Sequence, residues 1–133
     1  MFSILLVAVV TAATVHIARM EERSTERAGE VALRYLLVGY CGIPMLVVGV
    51  ATLVFPVGAA EVLGFPAGNP FQAFLGVAYT GCAFIAALAI RFRGVYLVGP
   101  AVVWVIFFAG ATVIHMADYH GQGDLTHGHM LHI

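Results

Sequence analysis

The chain has 133 residues, is 62% hydrophobic and only 10% charged, and carries a net charge of -1, with a mean hydropathy of +0.99. Soluble domains are about half apolar and about a quarter charged, so this composition describes a chain whose main solvent is lipid. The balanced charge and the lack of a basic stripe exclude a nucleic-acid footprint, and the length allows one compact bundle without a second domain.

A membrane span needs about 20 mostly apolar residues. Four stretches qualify, at about 2–18, 32–55, 71–90 and 95–117. The first is slightly short. It has no basic n-region, so it reads as a retained helix and not as a cleaved signal peptide. Ser24-Thr25-Glu26-Arg27 then offers an N-cap with an acidic first turn, so the second helix is expected to begin in water. Gly39, Gly42 and Gly49 punctuate the second span, and Pro44 lies inside it, where a missing N–H is expected to kink the helix. The second connection, 56–70, is rich in Gly and Pro, with one or two amphipathic turns expected over Gly58 to Leu63 and an extended or turning entry to the third span set by Pro66 and Pro70. On the third span Ala78, Cys82 and Ala86 recur every four residues, and with Gly39 and Gly42 they are the candidate helix-packing positions, since small side chains let helices approach closely in lipid. Arg91-Phe92-Arg93-Gly94 forms a tight hairpin into the fourth span, which carries Pro100 and Trp104.

All six basic residues are arginines. Arg19, Arg23, Arg27 and Arg34 flank the first connection, and Arg91 and Arg93 form the third. Cytoplasmic loops are enriched in Lys and Arg, so this asymmetry predicts an all-α, integral membrane four-helix transmembrane bundle with both termini outside. The expected location is an inner or plasma membrane.

Two apolar-run cysteines, Cys41 and Cys82, read as small packing residues. His16, near the cytoplasmic end of the first helix, reads as a hydrogen-bonded interfacial or packing residue. Ionisable groups at mid-membrane are functional candidates by default, yet no Asp, Glu or Lys falls there. Glu61 sits in the outer connection, and Arg34 near the start of the second span. This argues against a proton-coupled transporter or ion pump. No nucleophile motif, phosphate loop or dinucleotide fingerprint is present, so no catalytic residue is expected.

Metal-binding side chains concentrate at the C-terminal end, whose tail spans 118–133. His115, Asp118, His120, Asp124, His127, His129 and His132 are the candidate ligands, with Cu or Zn as the expected metal. His115 and Asp118, at i and i+3, share a helix face if the fourth helix reaches them. The spacing matches no zinc-finger template.

Leu33-Arg34-Tyr35, the run from Gly64-Phe65-Pro66-Ala67-Gly68-Asn69-Pro70 to Phe71-Gln72, Arg91-Phe92-Arg93-Gly94, and Gly110-Ala111 leading to His115 together resemble a bacterial and archaeal membrane family known as domain of unknown function 6790. The resemblance covers about 33–124 and implies a small four-helix membrane protein without an established activity. The family pattern carries a glutamate soon after the Phe-Gln pair, where this chain has Ala73, Phe74 and Leu75, so a function that needs that carboxylate is not expected here.

The resulting expectation is a non-enzymatic accessory or structural subunit of a larger membrane complex, or a homo-oligomer, with the lipid bilayer, other membrane subunits or its own copies as partners and no nucleic acid. The alternatives are metal handling through the outward-facing tail and a haem- or quinone-linked redox subunit.

Overall fold

The computed structural model describes residues 2–21, 24–63 and 68–122. Helix α1 (Phe2–Ala18) opens the chain. It is apolar on every side and carries no acidic residue in its first turn. The chain leaves it as Arg19 N–H reaches back to the carbonyls of Val15 and His16. Helix α2 (Thr25–Tyr35) starts at Ser24, whose hydroxyl accepts from Arg27 N–H at 3.2 Å, with Glu26 in the first turn near the positive end of the helix dipole.

Helix α2 runs without a break through a π-helical stretch, Leu36–Gly42, into α3 (Ile43–Val54). The wide turn has a local cause. Ile43 N–H bonds five residues back to Val38, and Pro44 follows at the start of α3. A proline ring in a regular α-helix collides with the carbonyl four residues earlier and offers no N–H. Widening the preceding turn removes that collision, so the disturbance expected at the proline takes the form of a π segment just before it.

Helix α4 (Pro56–Leu63) is a short piece in the second connection, and α5 (Pro70–Ala87) follows. Asn69 caps α5, its side-chain oxygen accepting from Phe71 N–H at 2.6 Å and Gln72 N–H at 3.2 Å, and Pro70 takes the first helical position, where no N–H partner is required. A 3₁₀ turn, Leu88–Ile90, ends α5, and a second one, Gly94–Leu97, leads into α6 (Val98–Gln122). Gly94 adopts φ +61°, the left-handed conformation that lets the chain reverse there. Pro100 lies in the opening turn of α6 and leaves the helix regular.

The closest packing joins α3 to α5. A Cβ placed on Gly49 would come within 2.6 Å of Thr80 Oγ1, 2.8 Å of Thr80 N and 3.0 Å of the Gly76 carbonyl. A Cβ on Gly76 would meet Leu53 at 2.9 Å, and one on Gly42 would meet Ala86 Cβ at 3.1 Å. Nearer the arginine-bearing end, Leu37, Cys41, Ala89, Leu97 and Trp104 form a buried cluster, with Phe107 and Phe108 of α6 packed on it. Trp104 meets Phe107 edge to face and lies tilted against Phe108, with both centroids 5.6 Å away.

Outside these contacts the helices present large apolar side chains. Thr25–Val54, Pro70–Ile90 and Gly94–Ile114 are each long and apolar enough to cross a membrane, and only 28%, 22% and 17% of their apolar windows are buried. Helix α1 is a shorter apolar helix. Phe74, Phe84, Val105 and Ile106 are all about two-thirds exposed. A water-facing surface of this kind would aggregate, whereas it is compatible with an integral membrane protein. Among the described residues no strand occurs.

Replacing Gly49 by leucine is expected to cost about 2 kcal/mol or more, since the new side chain meets backbone on the facing helix. Gly81→Ala, at a helical position where a Cβ meets nothing within 4 Å, should instead be neutral or stabilising by up to about 1 kcal/mol. Unfolding in mixed detergent micelles, followed by the fluorescence of the single tryptophan, checks both.

Candidate functional site: a cleft at the arginine-bearing end

Polar side chains that lie far apart in sequence meet where α1 ends, α2 passes into the π stretch and α5 closes. His16 stands on the last turn of α1. Its Nδ1 is 3.1 Å from the Tyr35 hydroxyl, and the two rings meet edge to face with centroids 5.7 Å apart. Arg34, next to Tyr35, spans from α2 to the end of α5. Its Nε donates to the Ala89 carbonyl at 2.8 Å and its Nη2 to the Ile90 carbonyl at 2.6 Å. The last carbonyls of a helix have no partners within it and carry its negative pole. A guanidinium forked onto two of them satisfies both needs. Arg34 is therefore held in place across the helices and is not a side chain reaching for water.

A cleft of about 380 Å³ lies beside this arrangement, lined by His16, Val31, Arg34, Tyr35, Val38, Gly39 and Ile90. Its walls come from α1 and the end of α5, and its floor from α2 and the π stretch. Gly39 belongs to the contact of this floor with α1, because a Cβ there would meet Val9 Cγ2 at 2.8 Å. The composition is three polar tips against four apolar or small residues. Clefts of this kind orient amphiphilic ligands, and irregular π turns recur at such places. Both hydrogen bonds of Arg34 go to neutral carbonyls, and among the described residues no carboxylate pairs with it. Glu30, one turn earlier on α2, carries an enclosed Oε1 with no hydrogen-bond partner.

The opposite end has its own polar tie. Gln72 is 2% exposed. Its Nε2 donates to the Pro56 carbonyl at 2.5 Å and its Oε1 accepts from Gly68 N–H at 3.1 Å. One buried amide thus joins the two sides of the second connection. Thr52, 1% exposed, satisfies its hydroxyl within its own helix on the Val48 carbonyl.

The sequence profile of a family described as a family of unknown function (DUF6790) matches residues 1–133, the whole chain. The chain belongs to this family. No curated protein and no solved structure matches it. Three of the segments through which the chain resembles DUF6790 fall on the ties just described. Arg34 and Tyr35 line the cleft. Gly68, Asn69 and Gln72 build the α5 cap and the buried amide. Arg91-Phe92-Arg93-Gly94 is the turn that follows the capped end of α5.

The remaining candidate residues are placed as follows. Gly42 and Ala86 face each other across the α5 contact. Cys82 packs against the core cluster, and Ala78 is half-buried on α5. Cys41 and Cys82 are free thiols. Helix α6 continues through Gln122, so the backbones of His115, Asp118 and His120 are helical, with the first two at i and i+3. The side chains of these three, and all of Asp124, His127, His129 and His132, lie outside what the structure describes. Among the described residues no group of three His, Cys, Asp or Glu is placed to hold a metal.

Replacing Arg34 by glutamine is expected to cost about 2 kcal/mol, through loss of charge-assisted hydrogen bonds to two carbonyls. Glu30→Met should hold or raise stability, because it removes an enclosed acceptor that has no donor. The same micelle unfolding assay reads both, and the opposite signs separate a structural cation from an uncompensated carboxylate.

Proposed function

We propose that this DUF6790 protein is an integral membrane protein that crosses the bilayer four times with both termini outside, and that it acts as a non-enzymatic subunit, assembling through the open face of α6 with its own copies or a larger membrane complex. The arginines of the first and third connections support the orientation. With α1 as the fourth, shorter span, they gather on one side.

One observation carries the assembly reading. Gly99 and Gly110 lie three turns apart on α6, with Val103 and Ile106 between them on the same face, all exposed. A Cβ at either glycine meets nothing within 4 Å. Glycine inside a helix costs about 1 kcal/mol relative to alanine. Gly49 and Gly76 repay that cost by close approach within the chain, while among the described residues Gly99 and Gly110 meet no such partner. In lipid, small residues on an exposed helix face suit close approach by another helix.

Gentle extraction from the native membrane, followed by native mass spectrometry, should show this chain bound to a second polypeptide, either its own copy or another. Gly110→Leu should lower that association about tenfold without lowering the unfolding stability of the single chain. A lone polypeptide in all extracts counts against the reading. Impermeant labelling of reporter cysteines at both termini from outside intact cells tests the orientation.

Metal handling is kept as a second reading, because α6 extends far enough to carry His115 and Asp118 on one helical turn. It expects Cu or Zn to copurify with the chain and to be lost when His127, His129 and His132 are changed to alanine. Unchanged metal content in that variant overturns it.

A further inference from the structure

We infer that the cleft between α1 and the end of α5 seats the headgroup of an anionic membrane phospholipid, with its phosphate on Arg34 and the start of an acyl chain along Val38, Gly39 and Ile90. The inference rests on the membrane reading above and adds a ligand to it.

The argument begins with unused donors. An arginine offers five N–H groups in a rigid fork. Arg34 commits one from Nε and one from Nη2 to the Ala89 and Ile90 carbonyls, and three remain. The two committed bonds freeze the side chain, so a ligand meets a positioned cation and does not have to order a flexible one. His16 adds a further group. Its Nδ1 meets the Tyr35 hydroxyl, which leaves Nε2 for a ligand in the cleft that His16 lines.

Charge selects the ligand. Both carbonyl partners of Arg34 are neutral, and among the described residues no carboxylate makes a direct ion pair with it; Glu30, one turn earlier on α2, leaves its Oε1 without a hydrogen bond. Guanidinium pairs bidentately with phosphate. Glu30 does not line the cleft. Arg34 is also bonded to the end of α5, which leads into the arginine-bearing third connection; the proposed orientation sets that end at the cytoplasmic headgroup level, and the cytoplasmic leaflet is the anionic one. The apolar lining on the remaining sides excludes a purely hydrated anion and fits a molecule with a tail. A neutral quinone headgroup would use the His16 and Tyr35 hydrogen bonds but leave the Arg34 charge unanswered.

The test uses the full chain purified in a neutral detergent and titrated with dioleoylphosphatidylglycerol or dioleoylphosphatidylcholine, with adducts counted by native mass spectrometry. The expected result is one saturable phosphatidylglycerol adduct, preferred about fivefold or more over phosphatidylcholine. Ile90→Trp fills the cleft from a side chain that is 63% exposed and removes no polar group. It should abolish that adduct while keeping the helical circular-dichroism spectrum. Arg34→Lys should keep a reduced preference for the anionic lipid, and His16→Ala should weaken it. Equal binding of the two lipids, an adduct that survives Ile90→Trp, displacement by inorganic phosphate alone, or preferential retention of ubiquinone each overturns the inference. Failure of the membrane reading has a different signature: alkaline carbonate would then release the chain from membranes without detergent.

Discussion

The structure turns on how closely α3 and α5 approach. Gly49 and Gly76 leave no room for a side chain between the two backbones, and Thr80 closes its hydroxyl on the Gly76 carbonyl of its own helix. In lipid the hydrophobic effect does not drive helices together, so van der Waals contact at short range and interhelical hydrogen bonds must. Both are present along the length of α5. The glycine contact lies at the middle, the Gln72 amide bonds Pro56 and Gly68 at one end, and the Arg34 fork bonds Ala89 and Ile90 at the other. Helix α1 is then laid against the α2 side through Val9 and His16, and α6 against the core through Trp104.

The cleft follows from that arrangement. The Arg34 fork fixes the end of α5 against α2, and the Val9–Gly39 contact fixes α1. The π stretch widens the backbone between these contacts. The groove is therefore the gap left where two helices are tied to a third at different heights, and its polar lining consists of the residues next to those ties.

Much of the fold was legible in the sequence. Hydropathy located the apolar stretches, Ser24 announced the start of α2, and small residues at 42 and 86 marked helix faces that do meet. The tighter contact, Gly49 with Gly76, was not singled out, because a glycine in a helix pattern does not say which neighbour it serves. Pro44 signalled a disturbance, but its form depended on the π turn, which hydropathy cannot show. Asn69 before Pro70 was a readable cap signal that the Gly/Pro-rich connection masked. The site was less legible. His16 and Tyr35 are 19 residues apart, and Arg34 and Ala89 are 55 apart, and single-sequence periodicity holds no information on such pairs. His16 was read as a hydrogen-bonded residue, yet its partner and the cleft depended on the packing of α1. The clustered histidines of the tail are neighbours in sequence, and whether they converge depends on chain beyond Gln122, outside the described residues.

The unbroken course of α2 into α3 has a mechanical consequence. In the proposed orientation the exposed start of α2, Thr25–Arg27, forms a short post on the arginine-bearing side, continuous with the helix that carries Gly49. A load applied to this post from the aqueous side is passed down one rod to the glycine contact. The most compliant joint on its way is the π stretch, whose hydrogen bonds are longer-looped than those on either side.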